Sequence, residues 1–152
     1  ANKKAKRLGI SFTTKLKPDP SVQNTLTGKI AKNQPYIFDI CHLGQMAEVK
    51  GVGIEFAFEI SSLIFGGVEN WNSDENLSNA AKKVGLDLIQ LRESVTVHED
   101  KIIEQIKQNQ VDQLNAGHHG VPLTVIGDKY FFGQDQFEKI METLKENGLK
   151  ER

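Results

Sequence analysis

The stretch "GVPLTVIGDKYFFGQDQFEKIMETL", from Gly120 to Leu144, decides the fold that we expect for this chain of 152 residues. Two short apolar runs, at 123–126 and 129–132, flank the pair Gly127-Asp128. A glycine at the first central position of a two-residue loop favours a type II′ turn, whose twist matches that of the strands it joins. The stretch therefore predicts a β-hairpin that turns at Gly127 and Asp128.

A helix is predicted directly after this hairpin. Gly133 interrupts the second strand, and Asp135 with Glu138 three places later has the spacing of a capping box. Apolar side chains then recur at helical spacing, at Phe137, Ile140, Met141 and Leu144. We expect these residues to form the buried stripe of a last helix that ends near Gly148.

Upstream of the hairpin the apolar pattern is mostly helical. Apolar residues recur at helical spacing in five segments, at 35–47, 54–65, 72–84, 86–94 and 99–115. Asn72 with Glu75 is predicted to cap the third segment. Before Pro35 the pattern is weaker, and it predicts the end of a helix up to Leu8, a short extended piece at 10–14 and a weak helix at 26–31.

The predicted hairpin lacks obvious partner strands. Two strands alone are marginal in water, because they cannot bury a face without further strands or a packed helix. The extended piece at 10–14 is the one further strand candidate, and it is short. We therefore expect either that helices cover the hairpin directly or that its partner strands lie upstream of Ala1.

Charge and composition argue against several classes of partner. The 19 basic and 20 acidic side chains leave a formal charge of -1, which creates no field that would attract nucleic acid or an anionic membrane. No apolar run approaches the roughly 18 residues of a membrane-spanning helix. We therefore expect neither nucleic acid nor a membrane as a partner.

The single cysteine limits the redox chemistry of the chain. Cys41 cannot form an internal disulfide, and no C-x-x-C motif is present in this sequence. Low cysteine usage is typical of a reducing compartment, so a cytoplasmic location is expected. Because Cys41 and His42 are neighbours on a predicted helix, their side chains do not face each other, and we expect Cys41 to be buried and unreactive.

The adjacent histidines His118 and His119 are the first candidates for a metal site. In an extended segment their side chains would point to opposite faces and would not share one ion. No cysteine or carboxylate lies at ligand spacing nearby. We expect two loop histidines and no metal.

Val121-Pro122 and the residues after Gly133 are better candidates for a ligand site. A proline at the entry to a strand cannot donate to the ladder, which leaves the amide and carbonyl groups of Val121 free for a peptide-like ligand. The segment from Gly133 to Gln136 places free N–H groups at the start of a helix, and such an end binds carboxylates. Together these features favour a peptide-like ligand that carries a carboxylate.

The quoted stretch resembles the C-terminal signature of the DsbA-like branch of the thioredoxin superfamily. It is most similar to the 2-hydroxychromene-2-carboxylate isomerases and the kappa-class glutathione transferases. The segments "AKRLGISF", "QNTL" and "MAEVKGVGIEFAFEISSLIFGGVENWNSDENLSNAAKKVGLDL" follow the order of that family. The resemblance implies an α/β thioredoxin-like fold with a large all-helical insertion. Residues 1–34 would be a remnant of the thioredoxin-like domain with a loop, 35–115 the insertion, and 116–152 the C-terminal β-β-α part.

The resemblance also implies a cofactor and its contacts. Pro122 would be the cis-proline of the family, and the backbone of Val121 would pair with the cysteinyl part of glutathione. Gln134 and Asp135 would hold the γ-glutamyl end, while Asn24 in "QNTL" would contribute a further contact. Glutathione is thus the implied cofactor, with no metal.

Three functions stay open at this point. The first is a glutathione-dependent isomerase or transferase acting on a small hydrophobic or aromatic substrate, for which the resemblance allows a homodimer. The second is a thiol-disulfide oxidoreductase whose C-x-x-C motif lies upstream of this chain. The third is a non-catalytic binding module, and the chain would have to be such a module if it were intact. Because the family's first strand-to-helix turn, with its nucleophile, has no counterpart in this sequence, we expect the chain to be the C-terminal part of a longer protein.

Overall fold

A computed structural model describes residues 2–24 and 26–150. Its elements in chain order are α1 (Asn2–Arg7), α2 (Pro35–Val49), α3 (Gly53–Gly66), α4 (Asp74–Lys83), α5 (Leu88–Val97), α6 (Glu99–Asn115), β1 (Leu123–Ile126), β2 (Lys129–Phe132), a 3-10 helix (Gln134–Gln136) and α7 (Phe137–Glu146). The expectation of a mostly helical chain with a C-terminal hairpin and a last helix is confirmed. Throughout the described ranges, no helix has both the length and the apolar character that crossing a bilayer requires.

The chain divides into two compact units, one up to Ile103 and the other from Glu104 onwards. The boundary falls inside α6, so this helix contributes its first turn to the first unit and its remainder to the second. The domain boundaries expected after residues 34 and 115 come from the order of segments in the family and not from compactness. They stay a prediction.

The first unit is a packed group of helices. α2 packs against α3 and α5, and α4 packs against α3 and α5. The buried apolar side chains of this unit are Leu43, Met46, Ala47, Phe56, Ile60, Ile64, Trp71, Leu77, Ala80, Ala81, Leu88, Leu91 and Ile102. Removing this surface from water is the main stabilising contribution, at roughly 25 cal/mol per Å² of apolar area.

Two buried polar side chains attach the N-terminal loop to these helices. The Trp71 side chain is fully buried, its ring lies edge-on to that of Tyr36, and its Nε1 donates a hydrogen bond of 2.7 Å to the Pro18 carbonyl. Gln34 is buried as well, and its amide exchanges two hydrogen bonds with the backbone of Val22. The loop before α2 is therefore held by side chains and not by a strand ladder.

Three expectations for the first unit are wrong. The piece at 10–14 forms no strand, because Thr13 N–H donates to the Phe65 carbonyl at the end of α3. The segment at 26–31 forms no helix, and Gln23 pairs with Ile30 in an isolated antiparallel bridge. The cap of α4 is Ser73, whose hydroxyl accepts from Asn76 N–H, because Ser73 is the last residue with extended backbone before the helix. The capping pair expected at 72 and 75 is thus displaced by one position.

The second unit contains the hairpin and α7. Leu123 pairs with Phe132, and Ile126 pairs with Lys129, as the sequence predicts. Gly127 has a positive φ of 61° while Asp128 does not, which is the pattern of a type II′ turn. α7 packs on β1, and the Lys129 ammonium lies 3.8 Å from the carboxylate of Glu146 on α7. A helix therefore covers one face of the hairpin directly.

The predicted capping box before α7 is wrong. A 3-10 helix of three residues precedes α7, whose first cap residue is Gln136, and no side chain caps α7 there. The Asp135 carboxylate accepts a hydrogen bond from the Gln136 side chain instead. It remains exposed beside the start of α7.

Candidate ligand site at the end of the hairpin

The predicted ligand residues of the second unit meet where β1 begins and β2 ends. Gly133 N–H donates a hydrogen bond of 3.0 Å to the Pro122 carbonyl, which closes the open end of the hairpin. The Val121–Pro122 peptide bond is cis. Because Gln134 directly follows Gly133, the structure brings Val121, Pro122 and the start of the 3-10 helix to the same end of the hairpin.

β1 has one free edge among the described residues. It pairs only with β2, and antiparallel pairing alternates residues that exchange hydrogen bonds with residues whose N–H and C=O point away. The bonded pair of Pro122 and Gly133 fixes this alternation within the strand, so Leu123 directs its backbone groups to the free edge. Val121 is 78% exposed, and no described residue bonds to its backbone. An extended ligand can therefore pair with Val121.

A groove of about 420 Å³ runs beside this edge. Its lining residues are Asn109, Asp112, Gln113 and Ala116 of α6 and the loop after it, together with Val121, Leu123 and Val125. Leu123 and Val125 are alternate residues of β1 and share a face, so together with Val121 they form an apolar floor beneath the polar side chains of α6. The volume lies within the range of small-molecule sites.

The chain turns sharply at Gly133 before the 3-10 helix. Gly133 has φ 100° and ψ 156°, a conformation that is essentially restricted to glycine. The N–H groups of Gln134 and Asp135 donate to no group in the described ranges. The two free N–H groups and the exposed Asp135 carboxylate thus lie in one short segment. The N–H groups can donate to a carboxylate of a ligand, and the Asp135 carboxylate can accept from an ammonium of the same ligand.

Asn24 lies in the first unit, where its side chain serves a local turn. Its Oδ1 accepts from the N–H groups of Leu26 and Thr27 at 3.0 and 2.9 Å. This Asx-type turn occupies the side-chain oxygen. Contact of Asn24 with a ligand therefore stays a prediction.

The histidine pair is arranged differently from expectation. The rings of His118 and His119 are stacked, with centroids 5.3 Å apart and planes 5° apart, so the expectation of opposite faces is wrong. Gly117, the residue before the pair, adopts a positive φ of 94°. His118 stacks on Phe132 at 3.9 Å and accepts the Gly120 N–H on Nδ1 at 2.8 Å. Within the two described ranges, no cluster of three metal-ligating side chains occurs.

His118 is the feature of the site that sequence reasoning missed. Its ring contact with Phe132 depends on the hairpin register, and its hydrogen bond depends on the loop conformation. The spacing of His118 and Gly120, two residues apart, is the one signal in the sequence, because side chains often bond to the N–H two residues on.

Cys41 is exposed, so the expectation of a buried cysteine is wrong. It lines a separate groove of about 280 Å³ in the first unit, between the apolar faces of α2 and α3. Partial desolvation by these helices raises the pKa of the Cys41 thiol. The thiol is therefore protonated at neutral pH, which does not suit a nucleophile.

Comparison with known proteins identifies one family. The family model described as the DSBA-like thioredoxin domain matches residues 21–145. The chain matches no curated protein and no solved structure.

Proposed function

The chain belongs to the DSBA-like thioredoxin family, and from this premise we propose that it contributes the glutathione site of an isomerase or transferase. This superfamily comprises thiol-disulfide oxidoreductases, isomerases and transferases. The substrate that we propose is a small hydrophobic or aromatic molecule, and the setting a cytoplasmic homodimer. The free edge at Val121, next to the helix start at Gln134 and Asp135, is the observation that carries the proposal.

The first step of the proposal is backbone pairing at Val121. Glutathione is a tripeptide, and its cysteinyl unit carries an amide N–H and a carbonyl in the spacing of a strand residue. Val121 is exposed, and its N–H and C=O groups bond to no described residue. Main-chain hydrogen bonds of this kind give affinity to ligands that add to a sheet edge. We assign to Pro122 the role of the family's cis-proline, which supports Val121 from the following position.

The second step is recognition of the γ-glutamyl end. Its carboxylate would accept from the N–H groups of Gln134 and Asp135, at the start of the helical segment that leads into α7. Its ammonium would donate to the Asp135 carboxylate, which is exposed and which, among the described residues, bonds only to the neighbouring Gln136 side chain. Both charges of one end of the ligand are thus matched.

The role of these residues in the reaction is binding and orientation. Glutathione supplies a thiol whose thiolate form is the nucleophile for an organic substrate. Val121 would fix the position of that thiol, and the apolar floor at Leu123 and Val125 would exclude water from one side of it. Cys41 has no part in this proposal, because its pKa is raised and it belongs to another groove.

The alternative is a thiol-disulfide oxidoreductase. The unpaired backbone of Val121 directly precedes Pro122 and the free edge of β1, so this segment can also pair with an extended segment of an unfolded protein. This function requires a C-x-x-C motif outside these 152 residues, because Cys41 is their sole cysteine. A peptide longer than glutathione would then bind more tightly than glutathione.

We predict that Asp135→Ala weakens glutathione binding at least about tenfold, because a hydrogen bond to a charged group contributes about 1.5–3 kcal/mol. Isothermal titration calorimetry with reduced glutathione measures this. Asp128→Ala is the matched control, since it removes the same charge at the other end of the hairpin. Equal affinity of the two variants, or no binding by the unsubstituted chain, would contradict the proposed site.

A further inference from the structure

We propose that Gln113 and His118 are positioning residues that set the direction of the Val121 N–H, and that glutathione affinity depends on the protonation state of His118. This inference rests on the proposed function, since it concerns the same edge. It adds residues and a regulation that the family resemblance does not assign.

Gln113 acts on the peptide unit that carries the Val121 N–H. Its Nε2 donates a hydrogen bond of 3.1 Å to the Gly120 carbonyl. The Gly120 carbonyl and the Val121 N–H belong to one planar trans peptide, in which the two groups point in opposite directions. Fixing the carbonyl therefore fixes the plane of this peptide, and with it the direction of the Val121 N–H.

His118 holds the preceding peptide unit. The Gly120 N–H donates to Nδ1 of the His118 ring at 2.8 Å, so Nδ1 carries no proton and the neutral ring carries its proton on Nε2. The ring is held from the other side by stacking on Phe132 at a centroid distance of 3.9 Å. Gly120 is thus fixed at its N–H by His118 and at its carbonyl by Gln113.

No side chain larger than hydrogen fits at Gly120 in this arrangement. A Cβ atom there would lie 2.7 Å from Cε1 of His118 and would also overlap the ring of Phe132. The rings of His118 and Phe132 therefore both lie against the Cα of Gly120. The two hydrogen bonds therefore act on a segment with little freedom to shift.

Protonation of His118 breaks this arrangement. Nδ1 would then carry a hydrogen that faces the Gly120 N–H, so two donors would oppose each other. From β2 the ring is faced by Tyr130 and Phe132, and from its own loop by His119 at 5.3 Å. From α6, Asp112 lies at the groove wall beside Gln113, and it accepts from the Gln108 amide at 2.8 Å. No carboxylate in the described ranges forms an ion pair with His118, so its positive charge would be uncompensated.

The expected pH dependence follows from this geometry. The Gly120 hydrogen bond exists only with neutral His118, so protonation of His118 is expected to weaken glutathione binding. Between about pH 7 and about pH 5.5 the thiol of glutathione stays neutral and its carboxylates stay ionised. A change in glutathione affinity over this range therefore reports on the protein. We expect about fivefold weaker binding at the lower pH, the effect of one hydrogen bond.

Three substitutions separate positioning from a structural role. His118→Asn keeps an acceptor that bonds the N–H two residues on but does not titrate, so it should retain affinity and lose the pH dependence. His118→Phe keeps the stack on Phe132 without an acceptor and should bind about fivefold more weakly at both pH values. His119→Asn, the matched control, should keep the pH profile of the unsubstituted chain.

The test combines calorimetry with glutathione and two-dimensional ¹H–¹⁵N spectra of the ligand-free chain at the two pH values. The Gly120 and Val121 amide resonances should move with pH in the unsubstituted chain and in His119→Asn, but not in His118→Asn. The role of His118 is overturned if the Gly120 amide resonance of the unsubstituted chain does not move with pH, or if His118→Phe binds glutathione with unchanged affinity. Movement of these amides without any glutathione binding would instead overturn the proposed function, so the two failures are distinguishable.

Discussion

Replacing Trp71 by alanine is expected to lower the free energy of unfolding of the first unit by about 3–5 kcal/mol. The ring is 0% exposed, the largest among the fully buried side chains, and it lies edge-on to Tyr36 with centroids 6.3 Å apart. The substitution leaves a cavity and also orphans the Pro18 carbonyl, which now accepts the indole N–H at 2.7 Å. A loss of this size is a large part of the stability of a typical domain.

Urea denaturation followed by circular dichroism measures this effect without relying on the tryptophan as fluorophore. Phe58→Ala is the matched control, because it truncates an aromatic side chain of the same unit that is 68% exposed. Its cost should stay within about 0.5–1 kcal/mol. If Trp71→Ala costs no more than this control, the attachment of the N-terminal loop through Trp71 is refuted.

Replacing Gly133 by alanine is expected to destabilise the hairpin end by about 1–3 kcal/mol and to abolish glutathione binding. The backbone at φ 100° and ψ 156° excludes a side chain, and a Cβ atom would lie 2.6 Å from Oδ1 of Asp135. The carboxylate can rotate away from the Cβ, whereas the strained backbone can relax only through a change at Gly133, whose N–H bonds the Pro122 carbonyl. The substitution therefore disturbs both the Val121–Pro122 segment and the helix start at Asp135.

Hydrogen exchange of the β1 and β2 amides, together with calorimetry, reports on these two effects. Gly127→Ala is the control, because Gly127 also has a positive φ but no atom lies within 4 Å of the position that a Cβ would take. It should accelerate exchange at the turn, at a cost of about 1–2 kcal/mol, and leave glutathione affinity intact. Normal binding by Gly133→Ala would show that the turn is not part of the site.

Local patterns are enough to predict the hairpin and most helices. The turn at Gly127 and Asp128 depends on the glycine itself, and the strand bounds match the structure. The helices α2, α3 and α6 follow from apolar residues that recur at helical spacing, a pattern that the sequence alone contains. The predicted cap of α4 lies one residue away from Ser73, since several polar residues there have similar capping preference.

Long-range contacts explain what could not be predicted. The piece at 10–14 bonds to Phe65, and the loop before α2 is held by Trp71 and Gln34, which no local pattern indicates. The burial of Cys41 is mispredicted because α2 is apolar on more than one face, so spacing does not indicate which side is buried. The contacts of His118 with Phe132 and Gly120 likewise depend on the folded loop, and its sequence neighbours do not predict them.

The central claim is that glutathione binds along the free edge at Val121 and at the helix start that follows Gly133. Amide chemical-shift mapping during a glutathione titration of the ¹⁵N-labelled chain tests it most directly. We expect saturable shifts of the Val121, Gln134 and Asp135 amides, with little change around Cys41 in the other groove. Shifts confined to the groove around Cys41, or none at Val121 at saturating glutathione, would contradict the account.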